Sequence, residues 1–434
     1  MKNTLNSLLS ILLFKLLQNK MTINPYESAK KQILNVYDFL KEKGVSWEFI
    51  EEYLYPDRVL QVNIPVKMDN WDVKVFTWYR SQHKSYRGPY KWGIRFHQDV
   101  TENEVKALSV WMSVKTWVVD LPLGGWKWWI IVNPKELSQR ELEELSRWYV
   151  RAIYKYLWPD FDVPAPDVNT NPQIMSWMVD EYSKLVWKFT PGAFTGKPLS
   201  IWWSRWRNIA TSLGGLYVLE EYFDLEKEEF QGKTVAIQGA GNAGLNFAKL
   251  IEKKGVKIVA ISDSRGWIYD PDWLNIEKIE KLKQNKQSVT DLPWAEIISN
   301  DDILKLDVDI LVLAALENQI TSENVEDIKA KYILELANWP VSPEADEVLF
   351  EKGQVVIPDI LANAWGVTVS YFEQVQGNMN YYWPESEVFE RLSVIMKKST
   401  KDVYNLAKEL KIDFRKASYV ISLERQYEAW KVRK

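Results

Sequence analysis

Apolar residues recur at three- and four-residue spacing from Asn24 to about Leu54, among them Ile33, Val36, Phe39 and Leu40, and predict a helical stretch. From Val59 to Phe76 the pattern switches to alternation, which predicts two strands joined by a turn at Asp69-Asn70-Trp71-Asp72. Glu102 to Trp117 returns to helical spacing. So does Lys135 to Tyr156, where Ser138 followed by Glu141 forms a capping-box pair. In Asp162-Val163-Pro164-Ala165-Pro166-Asp167 the two prolines exclude a helix, and the segment is expected as a shaped loop.

The second half alternates strand and helix. Short apolar runs at Lys233–Gln238, Val256–Ile261, Ile310–Ala314, Tyr332–Leu336 and Val355–Ile357 are separated by helical or loop segments, including a helix from Leu245 to Lys254. That order predicts a doubly wound parallel sheet, so the chain is read as an α/β protein of two domains. After Asp359 it is mostly helical to its end. Residues 1–20 hold an apolar run from Leu8 to Leu17 with no small-residue cleavage site after it. They read as a non-native or disordered extension ahead of Met21 rather than a secretory signal.

Directly after the first of those strands stands Gly239-Ala240-Gly241-Asn242-Ala243-Gly244, and a helix follows. Gly239 permits a tight turn, Gly241 lets backbone amides approach a pyrophosphate, and Gly244 allows close helix–strand packing. Asp263 ends the next strand about two dozen residues on, where it would accept from a ribose 2′-OH and repel a 2′-phosphate. The combination predicts a dinucleotide site that favours NAD, with NADP not excluded.

Charge and composition narrow the function by exclusion. Lys+Arg 55 against Asp+Glu 59 gives a net charge of −4, so no basic surplus advertises nucleic acid. The absence of cysteine removes disulfides and thiolate chemistry and fits a cytoplasmic setting, and two histidines argue against a metal centre. No segment reaches the roughly 20 apolar residues that a membrane span requires.

Lysines and one carboxylate recur in short motifs: Lys91 in GPYKWGIRFH and Lys127 in GGWKWW, both glycine-containing and expected as loops, Lys115 in WMSVKTW, and Asp167 in PAPDVNTNP. With TGKPLSI, IQGAGNAG and NAWGVTVSYFE, these motifs resemble those of glutamate dehydrogenases in the amino-acid dehydrogenase superfamily, from about Pro25 to about Val432. The resemblance implies reversible oxidative deamination of L-glutamate to 2-oxoglutarate and ammonium in a cleft between two domains of a homohexamer. It assigns Lys91 and Ser370 to the substrate's distal carboxylate, Lys115 to its α-carboxylate, Lys127 as the catalytic lysine and Asp167 as the proton shuttle. It further assigns Arg207, Thr211, Asn338 and Asn363 to the cofactor, beside Gly239, Gly241, Asn242, Ala243, Gly244 and Asp263. The expected division is a substrate-binding and oligomerisation domain at 21–200, a nucleotide domain at 201–365, and C-terminal helices at 366–434 returning to the first. A sister enzyme acting on leucine, phenylalanine or valine is the alternative. It would not need a cation at position 91. His83 and His97 are read as structural hydrogen-bonding residues.

One anomaly remains. Glycine, at 18 residues, is about 4% of the chain where roughly 7% is usual, while Trp at 23 outnumbers Phe at 15 and Tyr at 21. Trp92, Trp126, Trp128, Trp129, Trp202, Trp203, Trp206, Trp267, Trp339 and Trp365 stand where the resembled family has glycine. Trp71, Trp273 and Trp339 also fall in turn slots that suit glycine. The pattern points to UGA codons, read here as Trp, that the source organism decodes as glycine. Were the indoles at 92, 126, 128 and 129 real, the expectation is a filled cleft and a catalytically dead relative that only binds cofactor.

Overall fold

The computed structural model describes residues 24–201 and 207–434, and for Trp92 and residues 207–211 the backbone alone. The expectation for residues 1–20, and positions 202, 203 and 206, lie outside the described residues.

Three short helices open the described chain, α1 (Pro25–Leu34), α2 (Tyr37–Glu42) and α3 (Trp47–Tyr53), where one stretch was expected. The physical reason is local: Gly44 at φ 84° ends α2, and the Ser46 hydroxyl accepts from the Phe49 amide to start α3. A five-stranded sheet follows, built from β1 (Arg58–Lys67), β2 (Val73–Lys84), β3 (Tyr90–His97), β4 (Gly124–Ile131) and β5 (Asp162–Pro166) in the order β1-β2-β4-β3-β5. Its helices are α4 (Glu102–Val118), α5 (Gln139–Ile153), which carries the Ser138–Glu141 capping box, and α6 (Pro172–Leu185).

Two expectations about this sheet are corrected. The segments around Lys91 and Lys127 are neighbouring strands, β3 and β4, not loops. The proline-rich segment is an edge strand parallel to β3, a position where a missing N–H leaves no central ladder bond unmade. Gly125 explains how α4 lies so close to this sheet, because a Cβ there would meet the backbone of Ser113 and the carbonyl of Ser109.

The second sheet begins after α7 (Arg207–Glu226). It comprises β6 (Thr234–Gln238), α8 (Asn242–Glu252), β7 (Lys257–Asp263), β8 (Gly266–Tyr269), α9 (Ile276–Gln284), β9 (Glu296–Ile298), α10 (Asn300–Lys305), β10 (Ile310–Leu313), β11 (Tyr332–Glu335), α11 (Pro343–Glu351) and β12 (Val355–Ile357). The order β12-β11-β10-β6-β7-β8-β9 contains the five expected parallel strands plus two that were not foreseen, β8 and β9, which extend one edge antiparallel. The chain then runs through α12 (Asp359–Ala362), α13 (Trp365–Met379), α14 (Glu385–Leu410) and α15 (Phe414–Lys431). α14 packs on α7 while α15 reaches back to α4, and the Tyr419 hydroxyl donates to Gln32 on α1. Among the described residues no helix is long and apolar enough to cross a membrane.

The tryptophans sit badly in two distinct ways. Trp71, Trp187 and Trp339 hold φ of 76°, 54° and 57°, left-handed backbone that costs a residue with a Cβ about 1–2 kcal/mol. Trp187, not singled out by sequence, directly follows Val186, the C-cap residue of α6, in the slot that helices most often give to glycine, and it is 94% exposed. Inside the first sheet the indole N–H groups of Trp78, Trp126, Trp128 and Trp129 are buried without a hydrogen-bond partner, as is that of Trp365 on α13. Each orphan costs about 1–3 kcal/mol. Glycine removes both penalties. The tryptic peptide covering residues 128–135, taken from protein made by the source organism, is therefore expected to have the mass of Gly-Gly at 128–129, and Trp-Trp there would overturn the decoding reading. Independently, Trp187→Gly in the chain as written should raise stability by about 1 kcal/mol, measured as the shift in urea midpoint at constant slope.

Candidate active site

Lys91 on β3 and Lys127 on β4 are fully buried, Lys115 lies in the last turn of α4, and Asp167 follows β5 directly. All four line one cavity of about 1980 Å³ between the two sheets, together with Ser370 on α13, Asn338 beyond β11 and Asn363 beyond α12. The expected filling of this cleft is corrected for the indoles at 126, 128 and 129, and the side chain at 92 lies outside the described residues. Alternation along β4 turns Lys127 toward the cavity and Trp126 and Trp128 away from it, into a core with Trp78 and Tyr149. Trp129 packs with Val100 and Val105. Among the described residues the tryptophans that do line the cavity are Trp111, Trp339 and Trp365, and its volume remains open.

The Lys127 ammonium is bonded to the Asp167 carboxylate. Burial, then repulsion from Arg95, pull the pKa of Lys127 down to about 7 against the attraction of Asp167. Burial alone would raise Asp167, but the Lys127 ammonium and the Arg95 guanidinium, whose Nε lies 3.1 Å from Oδ1, hold its carboxyl well below the usual range. The site thus keeps a carboxylate ionised beside an amine that can lose its proton near neutrality. Gly93 makes room for this pair, since a Cβ there would collide with the Asp167 side chain.

At the other side of the cavity, Lys91 Nζ donates to Thr195 Oγ1 at 2.5 Å and to the Val163 carbonyl at 3.3 Å. Thr195 and Ser370 share a hydroxyl–hydroxyl bond of 2.7 Å, which brings the two predicted residues together through a third. The Thr195 segment is pinned to α13 by Glu373, which accepts from Lys197 Nζ and from the Gly196 amide, each at 2.6 Å. Sequence reading passed over Gly93, Arg95, Thr195 and Glu373, although all four lie inside motifs it quoted. Lys115, its ammonium destabilised by burial, donates to Asn338 Oδ1 at 3.0 Å and to Asn363 Oδ1 at 2.6 Å, across the cleft. His83 and His97 hold structural bonds, to Ser113 and the Tyr53 carbonyl and to the Asp99 amide respectively.

The glycine motif does not line this cavity but sits at the C-terminal end of β6, with Gly239 at φ 110° against the Ala314 backbone after β10. A Cβ on Gly241 would meet open space, and no side chain caps the first turn of α8. Its amides, at Asn242 and Ala243 among others, therefore suit a pyrophosphate. Gly244 admits close packing, its missing Cβ facing the Gly239 carbonyl. Asp263 is more committed than expected. Its carboxylate accepts from Lys283 Nζ at 2.6 Å, the Ser288 hydroxyl at 3.2 Å and the amides of Arg265, Gly266 and Val289. Arg207 and Thr211 lie on α7, where the backbone alone is described.

Comparison with known proteins places this arrangement. Residues 204–433 match the family described as Glutamate/Leucine/Phenylalanine/Valine dehydrogenase, and residues 56–184 match its dimerisation domain. The chain is 45% identical over 416 residues to a NAD-specific glutamate dehydrogenase of Staphylococcus aureus, covering 96% of this chain and 99% of the relative. Among solved structures, the glutamate dehydrogenase of Peptoniphilus asaccharolyticus superposes with TM-score 0.85 at 41% identity, over 95% of this chain and 99% of that one. The hetero-hexameric glutamate dehydrogenase of Thermus thermophilus, in a Leu-bound form, gives TM-score 0.87 at 31% identity, over 96% and 98%.

Arg95 offers a direct test of the electrostatics. Arg95→Met withdraws a cation and leaves Asp167 to Lys127 alone, and both changes favour the ammonium. The midpoint of Lys127 modification by an amine-acylating reagent, followed against pH by peptide mass, should move upward from about 7 by roughly one unit. An unmoved midpoint would show that burial alone sets it.

Proposed function

The chain belongs to the Glu/Leu/Phe/Val dehydrogenase family, and on that premise we infer that it catalyses NAD-dependent oxidative deamination of L-glutamate to 2-oxoglutarate and ammonium. The observation that carries the reading is the buried Lys127–Asp167 pair flanked in one cavity by two further lysines, each with hydroxyl or amide partners. A dicarboxylate needs two cationic holders. Lys115 is assigned the α-carboxylate, and Lys91, with Ser370 and the intervening Thr195, the distal one. A leucine or phenylalanine side chain would leave a buried ammonium at position 91 facing apolar atoms, which is the specific argument against the sister activities.

Asp167, ionised in the resting site, takes the proton from the substrate's ammonium and exposes the amine lone pair. Bound NAD supplies the hydride acceptor for the substrate's α-carbon. Neutral Lys127 then removes a proton from water as that water attacks the imine carbon, and the carbinolamine collapses to the keto acid as Asp167 returns its proton to the nitrogen, which leaves as ammonium. The cofactor is assigned to the amides at Gly239, Gly241, Asn242, Ala243 and Gly244, with Asn338, Asn363, Arg207 and Thr211 toward its reactive half. Asp263, tied to Lys283, presents a compensated rather than a bare carboxylate beside the expected ribose. The divisions at 21–200, 201–365 and 366–434, assembly as a homohexamer and a cytoplasmic setting complete the proposal. The hetero-hexameric state of a relative and the dimerisation-domain match support assembly.

The glycine-containing protein should consume NADH with 2-oxoglutarate and ammonium, and Lys127→Gln should lower kcat by about 10²–10⁴. Turnover of leucine or phenylalanine but not glutamate would move it to a sister enzyme. The active form carries neutral Lys127. In the oxidative direction kcat/KM should therefore rise about tenfold per pH unit below about 7 and level off above it. A flat profile from pH 5 to 8 would remove Lys127 from the base role.

A further inference from the structure

A second cluster of charge, behind the cleft wall, takes no part in the chemistry above. Arg415, in the first turn of α15, is buried with three carboxylates: Glu335 at the end of β11, Asp346 on α11 and Asp359 at the start of α12. Its Nη2 donates to Glu335 Oε1 at 2.7 Å, its Nη1 to Asp359 Oδ1 at 2.9 Å, and its Nε to Asp346. One guanidinium cannot offset three carboxylates. Burial, opposed by Arg415 and reinforced by the neighbouring acids, pushes the Glu335 and Asp346 carboxyls upward. Buried ionic clusters of this kind are poor stabilisers compared with apolar packing, so stability alone does not explain it.

The remaining oxygens explain it better. Glu335 Oε2 accepts from the Asp359 amide at 2.7 Å, and Asp359 Oδ2 accepts from the residue-339 amide at 3.2 Å. These bonds tie the segment beyond β11 to α12, the two pieces of chain that carry Asn338 and Asn363. Asn363 Nδ2 donates to Asn338 Oδ1 at 3.0 Å, and both side-chain oxygens accept from Lys115. A continuous path of bonds therefore runs from α15, a helix that packs on α4, to the Lys115 ammonium in the last turn of α4.

We propose that Arg415 is a positioning residue for the deamination reaction: through Glu335 and Asp359 it fixes the spacing of Asn338 and Asn363, and through them the place of Lys115. The proposal rests on the reading that these asparagines contact the nicotinamide cofactor. It makes the docking of α15 a determinant of cofactor affinity, although none of the residues assigned to the cofactor lies on α15.

The test uses the full-length glycine-containing protein, with NADH affinity read by fluorescence titration and KM for NAD, KM for glutamate and kcat read separately. Asp359→Asn leaves Arg415 paired with Glu335 and Asp346 but keeps only one acceptor for Arg415 and the residue-339 amide, so one of the two links is lost. It should raise the NADH Kd and KM for NAD about tenfold, raise KM for glutamate through Lys115, and lower kcat. Asn363→Ala alone should weaken NADH comparably, and in the Asp359→Asn background its further effect should largely vanish, because the two act on one network. Arg415→Met should behave as Asp359→Asn does, and Arg415→Lys should recover part of the loss. Should Arg415→Met fail to fold, the Asp359 and Asn363 variants decide. Unchanged NADH affinity, or strict additivity of Asp359→Asn with Asn363→Ala, would overturn the proposal. If the unsubstituted protein binds NADH without turning over glutamate, the functional reading falls, and the titrations still judge Arg415.

Discussion

A lysine ammonium shut away from water next to a carboxylate is the constraint on which the rest of this structure depends. Holding the Lys127 charge away from water is costly, and the Asp167 carboxylate, itself shared with Arg95, offsets part of that cost. Their neighbours follow from the pair. Gly93 leaves the volume that Asp167 occupies, Gly125 lets α4 come close enough to bring Lys115, and Arg95 tips the balance between the two charges. A central strand in a five-stranded sheet supplies the rigidity that such a balance requires, since a shift of an ångström would expose the ammonium to water and return its pKa to the ordinary range.

The nucleotide half was legible from the chain because its signal is local. Each parallel strand is a short apolar run, and the glycine motif follows its strand without interruption. The substrate half was harder. The segments around Lys91 and Lys127 look like loops when glycine and tryptophan flank a charge, and only pairing with strands far along the chain makes them β3 and β4. The prolines of β5 mislead in the same way, because an edge position that tolerates them cannot be read from the residues alone. Thr195 was hidden for a different reason. Threonine carries no charge and no spacing rule, and its place between Lys91 and Ser370 exists only after three distant segments have met.

The misplaced indoles show how a fold can carry residues that do not suit it. Trp126 and Trp128 extend a core that already holds Trp78 and Tyr149, so the cavity on the other face of β4 keeps its volume. The price appears instead as orphaned N–H groups and left-handed backbone, features that mark individual positions more sharply than composition does. Trp187 and Trp78 were found in this way.

The return of α15 to α1 and α4 has a consequence for how the protein is made. Gln32 meets Tyr419 across nearly the whole chain, so the unit that carries Lys91, Lys115 and Lys127 cannot close until its last helices have left the ribosome. The nucleotide unit, whose strands are contiguous, can form its sheet while synthesis continues, although α7 also waits for α14. During that interval α4 lacks one of the helices that pack on it. The order of synthesis thus makes the half that binds cofactor the template on which the half that holds substrate is finished.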